Sequence, residues 1–273
     1  MKKGIIILVI ASRGKTYDNF INHYWKNIIE YVNNNHNNIK IYLIFGNDLN
    51  MDGILVDKDD IIISNSKESW IPGILEKTIF SLEYIDKNYD YKHIFRTNLS
   101  SFLIINNLIK ISDKLDNKEL YGGVVGLHEN TNYVSGAGIW LSKDYVRYII
   151  NNKNKINYNE IDDVAIGLLM KNKKITDGIN RYDIKEGEII DKKSFSKIIK
   201  DHYHIRVKID RQENKSSNDD IEYMKKMTNY IYSEKEKINN SIIILLFILP
   251  LIILLIKNKE YLIKTFKNLI YQL

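Results

Sequence analysis

Cysteine is absent from all 273 residues. That excludes a disulfide framework, thiol nucleophiles and Cys-ligated zinc, and it fits a reducing compartment. Proline occurs only at Pro72 and Pro250, so few loops are stiffened and few helices interrupted. Neither the GxGxxG dinucleotide fingerprint nor the P-loop pattern is present. There is no internal repeat and no basic helix with interleaved aromatics, so nucleic acid is not an expected partner. Charge of one sign is lacking too. Forty Lys and Arg face 34 Asp and Glu, a net charge of +6 interleaved through most of the chain. A mild basic excess of this kind suits anionic small molecules or lipid headgroups.

What is present is a chain long enough to bury a core without staples. Lys2 and Lys3 precede an apolar run over 5–11 that reads either as a short leader or as a buried first strand. Arg13-Gly14-Lys15 stands where a cleavage region should be, which favours the strand. Further strands are predicted over 39–45, 61–63 and 93–95, and helices over 17–33 and 74–87. Strands alternating with helices predict an α/β fold with a largely parallel sheet and helices on both faces. Ligands of such sheets sit beyond the carboxyl ends of the strands. That rule nominates Ser12-Arg13-Gly14, Arg96-Thr97-Asn98 and the neighbourhood of Gly136.

The other end of the chain differs. Residues 241–256 are uninterruptedly apolar, slightly fewer than the ~20 of a spanning helix, and contain Pro250. A helix apolar on every face is hard to bury in a domain this size, so a C-terminal transmembrane helix is predicted. Lysines flank it on both sides, so charge assigns no orientation. In 257–273, Tyr261, Leu262, Phe266, Leu269 and Ile270 recur at helical spacing, as in a short amphipathic tail.

Each chemical motif has two readings. Ser12-Arg13-Gly14 is a strand-to-helix turn, or a nucleotide loop in which Arg13 meets a ring or a phosphate. Lys77-Thr78 falls on a helix, where a lysine ordinarily lies on the solvated face. Ser100 or Ser101 is expected to cap the next helix. Tyr121-Gly122-Gly123 and Ser135-Gly136-Ala137-Gly138 are turns, or places where backbone approaches a ligand. Asp162-Asp163 opens a helix, or supplies a general base. In Asp201-His202-Tyr203-His204 an imidazole either binds metal or is an ordinary surface or core residue.

In order and spacing, these pieces resemble the fringe/β-1,3-galactosyltransferase group of inverting glycosyltransferases, over roughly residues 5–204. The resemblance rests on Trp70-Ile71-Pro72-Gly73 before Lys77-Thr78, on Tyr121-Gly122-Gly123, and on Ser135-Gly136-Ala137-Gly138 with Leu141-Ser142. It rests most on Asp162-Asp163-Val164 with Gly167 at this separation. It implies a GT-A fold and transfer of a sugar from a nucleotide-sugar donor to a glycan, protein or lipid hydroxyl. Asp163 matches the catalytic base. Ser12, Arg13, Lys77, Arg96, Asn98 and Ser100 match the donor site. Gly136, Ala137, Gly138, Trp140 and Asp162 match the acceptor and donor cleft. His202 or His204 matches a late histidine that completes a Mn²⁺ or Mg²⁺ site.

The sequence departs from the family where Asp-x-Asp should bind that metal, since Arg96-Thr97-Asn98-Leu99-Ser100 stands there. Neutral oxygens hold these cations more weakly than carboxylates do. Metal binding is then weak, or Arg96 and Lys77 take over the diphosphate charge, or activity is gone; the second is the expectation adopted. The chain is parsed as a GT-A-like domain (1–208), a polar helix and linker (209–240), the membrane helix (241–256) and the tail (257–273). Lack of the paired cysteines of Golgi members points to a cytosolic catalytic domain on a single-pass anchor. The competing readings are an inactive relative that binds nucleotide-sugar or glycan as a membrane-tethered module, and an unrelated nucleotide-binding α/β protein.

Overall fold

The apolar run after Lys3 becomes a strand buried on both faces. In the computed structural model, which describes residues 2–47, 60–176, 178–185, 188–208 and 220–231, it forms β1 (Lys2–Ile10). The chain continues through α1 (Lys15–Phe20), a π-helical segment (Ile21–Trp25), α2 (Lys26–Asn35), β2 (Ile39–Phe45) and β3 (Ile61–Ile63). Next come α3 (Gly73–Asn88), β4 (Asp90–Asn98), β5 (Ser101–Leu103), α4 (Ile105–Lys114), β6 (Tyr121–Gly122), β7 (Val125–His128) and β8 (Thr131–Val134). The remainder is β9 (Ile139–Ser142), α5 (Lys143–Asn151), α6 (Asp162–Leu169), β10 (Tyr182–Asp183), α7 (Lys192–Asp201) and β11 (His204–Arg206).

Six strands form the central sheet in the order β3-β2-β1-β4-β9-β6. β1 lies parallel to β2 and β4, with Ile10 opposite both Ile44 and Asn98. β9 runs antiparallel to β4, setting Arg96 opposite Ile139. This register brings the carboxyl ends of β1 and β4 beside the start of β9. Ser12, Asn98 and the 135–138 loop therefore converge at one edge, where the candidate site lies. A three-stranded sheet, β10-β11-β5, and the hairpin β7-β8 complete the strands among the described residues.

Alternation along β1 divides its side chains between two faces. Ile6, Leu8 and Ile10 join a core with Leu75, Ile79 and Leu82 of α3, Val146 and Ile149 of α5, and Ala165 and Ile166 of α6. Ile5, Ile7 and Val9 are equally buried, while α2 and α4, absent from that core, lie against β2 and β1. Full burial of each such side chain stabilises by about 1.5–3 kcal/mol. The mixed, mostly parallel sheet with helices packed against it is the predicted α/β class.

Several local expectations change. The first helix spans the predicted stretch but contains the π-helical segment, whose wider turn lets adjacent Tyr24 and Trp25 both point inward. Trp25 Nε1 donates to Leu99 O at 2.9 Å, and Leu103 N–H donates to Tyr24 Oη at 2.7 Å. β4 extends on both sides of its apolar centre because pairing with β1 carries its polar ends into the sheet. Ser100 and Ser101 do not cap α4, whose preceding residue is Ile104. Ser101 instead lies in β5, and the Ser100 hydroxyl turns back to Asn98.

By contacts the chain divides into two compact units, Met1–Lys225 and Lys226–Leu273. The predicted membrane helix (241–256) and tail (257–273) lie outside the described residues. Among the described residues no helix is long and apolar enough to cross a membrane.

Candidate functional site

A cleft of about 400 Å³ opens at the edge where β1, β4 and the 135–138 loop meet. Of the residues nominated from sequence, Ser12, Arg96, Asn98, Ser100, Gly136, Ala137, Asp162 and Asp163 line it. Tyr17, Trp70, Tyr133, Ser135, Arg206 and Lys208 line it as well. Trp70 is 56% exposed and Tyr17 38%, so each offers a ring to an incoming ligand.

The backbone of one residue organises one side of the cleft. The Gly136 N–H donates to Asp163 Oδ2 at 2.8 Å, while the Gly136 carbonyl accepts from Arg96. Arg96 also donates to the Asp162 carboxylate, an ion pair almost wholly out of water. A Cβ added at Gly136 would lie 2.7 Å from Arg96 Nη1 and 3.3 Å from Asp163 Cβ, so only glycine fits. Asp163 Oδ1 accepts a further N–H, from Val164, at 3.0 Å. Both aspartates occupy the first turn of α6, where free N–H groups favour negative charge. Burial nevertheless pushes the Asp162 carboxyl up; the Arg96 guanidinium opposes this and the neighbouring Asp163 charge adds to it.

Asn98 sits in a second network. Its Oδ1 accepts from Ser100 Oγ at 2.9 Å and from Ser101 Oγ at 3.4 Å. The Thr97 hydroxyl lies 2.6 Å from both Ser101 Oγ and Ala137 O. Behind them His204 Nε2 meets Ser101 Oγ at 2.9 Å, and His204 Nδ1 is buried without a hydrogen-bond partner. Burial holds this imidazole well below its usual range, and Arg181 and Arg206 push the same way, so it is neutral.

The two histidines expected to complete a metal site do not line the cleft. His202 Nδ1 lies 3.1 Å from Ile198 O, its ring against Tyr182, and it does not line the cleft. His204 lies behind the serine network. Asn98 Oδ1 is engaged by hydroxyls and Asp162 by Arg96. Among the described residues no group of three or more His, Asp or Glu is arranged to hold a metal. Three cationic side chains line the same space.

The remaining nominated residues lie elsewhere. Lys77 is fully buried rather than solvated, and donates to Ala11 O at 2.9 Å and Glu68 Oε2 at 2.7 Å. Arg13 lies over the Phe45 ring, 5.1 Å from its centroid. Trp140 is in the core, 4.8 Å from Phe95 between centroids, with Nε1 donating to Tyr203 Oη. Gly138 backs onto the His204 ring. The Tyr121-Gly122-Gly123 pair faces protein, since a Cβ at Gly123 would lie 2.2 Å from Gly138 O. Its role is to seat the 135–138 loop.

Sequence reasoning missed Glu68, Arg206 and Lys208. The basic pair had a signal, because alternate residues leaving a strand share one face. Glu68 had none; it lies in a polar run, and only the fold brings it to Lys77.

No protein-family model and no curated protein matches this chain. Its fold is similar to that of a glycosyltransferase involved in glycosylating the major capsid of PBCV-1, with a TM-score of 0.48 and 10% identity over 81% of this chain and 98% of that one. It is also similar to the galactosyltransferase LgtC in complex with donor and acceptor sugar analogues, with a TM-score of 0.43 and 9% identity over 85% and 96%. A third similar structure is the apo glycosyltransferase GlyE of Streptococcus pneumoniae, with a TM-score of 0.44 and 13% identity over 88% and 64%.

Proposed function

We propose that the chain is a glycosyltransferase that moves a sugar from a nucleotide-sugar donor to a hydroxyl acceptor with inversion, Asp163 acting as general base. The observation that carries this reading is the position of Asp163. It lines a cleft at the carboxyl ends of parallel strands, and each carboxylate oxygen holds one backbone N–H. A carboxylate oxygen accepts about two hydrogen bonds, so one site on each remains for an acceptor hydroxyl. The acceptor proton passes to Asp163 as its oxygen attacks the anomeric carbon. The nucleoside diphosphate leaves from the opposite face of the sugar, which inverts that carbon.

The Arg96–Gly136–Asp163 clamp supports the reading, because a base must be held at a fixed angle to act. Trp70 and Tyr17 offer apolar faces for a base or a sugar ring. In this scheme residues 1–208 are the catalytic domain, and the apolar run 241–256 holds it at a membrane with the domain on the cytosolic side.

The test incubates the full chain with a panel of nucleotide-sugars and a hydroxyl acceptor mixture, and measures release of nucleoside diphosphate. Release by the wild type, lost in Asp163→Asn, is the expected result. No transfer and no hydrolysis from any common nucleotide-sugar sinks the proposal and leaves a binding module.

A further inference from the structure

We propose that Ser135, held by Arg181, selects the acceptor: its hydroxyl donates to a second acceptor oxygen, on the carbon next to the hydroxyl that Asp163 deprotonates. The inference rests on the reading above for the reaction. It deepens that reading by naming a specificity-determining residue and the chemistry it favours, a polyol with neighbouring oxygens rather than a lone alcohol.

Ser135 lines the cleft and is half-buried. Its backbone is fixed on both sides, the N–H donating to Val124 O at 2.8 Å and the carbonyl accepting from Gly138 N–H at 3.0 Å. Its side chain is fixed by Arg181, whose Nη1 donates to Ser135 Oγ at 3.0 Å. Arg181 is itself almost wholly out of water. Its Nε and Nη2 donate to the two carboxylate oxygens of Asp183 at 2.5 and 3.1 Å, which locks the guanidinium plane.

A guanidinium only donates, so the Ser135 oxygen accepts from Arg181 and keeps its own proton. Among the described residues nothing accepts that proton. It is left for whatever enters the cleft, and the positive charge behind the oxygen strengthens it as a donor.

Asp163 supplies the complementary group one peptide link away. The Gly136 N–H that donates to Asp163 Oδ2 belongs to the residue directly after Ser135. The covalent links and that hydrogen bond together keep Ser135 Oγ within about 8 Å of Asp163 Oδ2. Two oxygens on adjacent carbons, about 3 Å apart, span such a gap with one hydrogen bond of about 2.8 Å at each end. A lone alcohol fills only the Asp163 end.

The test offers the full chain a panel of nucleotide-sugars, with the methyl glycosides of glucose, galactose and mannose and all their monodeoxy analogues as acceptors. Release of nucleoside diphosphate and, in parallel, glycoside binding by saturation-transfer NMR are measured. With the best acceptor, one deoxy position should abolish transfer and so mark the reacting hydroxyl. Loss of a neighbouring hydroxyl should lower kcat/KM about tenfold, and no further, because water reaches a half-buried serine in its place. Ser135→Ala and Arg181→Gln should each narrow that ratio to about twofold, whereas Ser135→Thr, which keeps the hydroxyl, should retain it. A general loss of structure lowers both acceptors together and leaves the ratio unmoved, and the wild-type comparison needs no variant at all. Equal kcat/KM for the parent and the neighbouring deoxy analogues overturns the inference and leaves the transferase reading standing. So does a Ser135→Ala effect confined to the KM of the nucleotide-sugar, which would place this hydroxyl on the donor. Glycoside binding weakened by a single deoxy change and by Ser135→Ala, without any transfer, would support the inference while removing the transferase reading. Neither binding nor transfer with any of these glycosides overturns it.

Discussion

Lys77 Nζ lies 2.7 Å from Glu68 Oε2, and the pair ties together the carboxyl ends of two parallel strands. Lys77 also holds Ala11 O at the end of β1, while Glu68 accepts from Ser12 Oγ at 3.1 Å and from Gly46 N–H at 2.6 Å. The loop that lines the cleft at Ser12 is thus anchored from beneath by a buried ion pair. Removing one partner of such a pair leaves the other charge uncompensated, which costs more than the intact pair contributes.

Lys77→Met should therefore destabilise the fold by about 3–5 kcal/mol, and Glu68→Gln combined with Lys77→Met should recover part of that loss. Urea unfolding of the single and double variants reads this directly. A lysine serving mainly as a phosphate ligand would behave oppositely: the variant would keep its unfolding midpoint and lose only ligand affinity.

Asp163→Asn should lower the rate of sugar transfer by about 10²–10⁴-fold, the usual contribution of a positioned general base. The amide keeps one of the two acceptors that hold the carboxylate, so the thermal midpoint should move only slightly. Rate and midpoint are measured on the same preparation. A rate within about twofold of wild type removes Asp163 from the chemistry.

Gly136→Ala forces a methyl group toward Arg96 Nη1 at 2.7 Å. Arg96 has little room to yield, because the same guanidinium holds Asp162. We expect a loss of about 1–3 kcal/mol in stability, as for other overpacked sites, with transfer lost as the clamp on Asp163 opens. Thermal unfolding and a transfer assay together check it, and an unchanged midpoint would show that the clamp is slack.

Acid should weaken the fold through its buried imidazoles. His204 titrates near 6.5 when unfolded and well below that when folded, because burial disfavours its cation. His93 is shifted the same way, chiefly by burial. Between the two values the unfolded chain takes up a proton that the folded chain refuses, so stability is whole above about 6.5 and falls as pH drops below it. His204→Gln, which keeps a donor for Ser101, should flatten the change in urea midpoint between about pH 7.5 and about pH 5.5. An unchanged pH slope in that variant would place the titration elsewhere.

Much of the scaffold was legible because burial leaves a periodic trace. The runs at 39–45 and 61–63 match β2 and β3, since β-branched residues in unbroken succession suit a strand covered on both faces. Helix α3 follows the expected stretch to within a residue at each end. The short strands β5 to β8 left no such trace; two to four residues become strand only when a neighbour supplies the ladder. Ser100 and Ser101 were misread for the same reason, as the local rule for caps competes with pairing to a strand a hundred residues away.

Apolar periodicity predicted a mostly parallel sheet, with the glycine loop and the paired aspartates at the edge where the cleft opens. Apolar periodicity and the carboxylates that open α6 are local properties, readable a few residues at a time. The tertiary structure alone decided which charges face the cleft. Lys77 is withdrawn by Glu68, 9 residues away, and Arg96 is paired with Asp162, 66 residues away, while Arg206 and Lys208 arrive from the far end of the domain. Ion pairing depends on distances of a few ångströms between remote segments, and no sequence period encodes those.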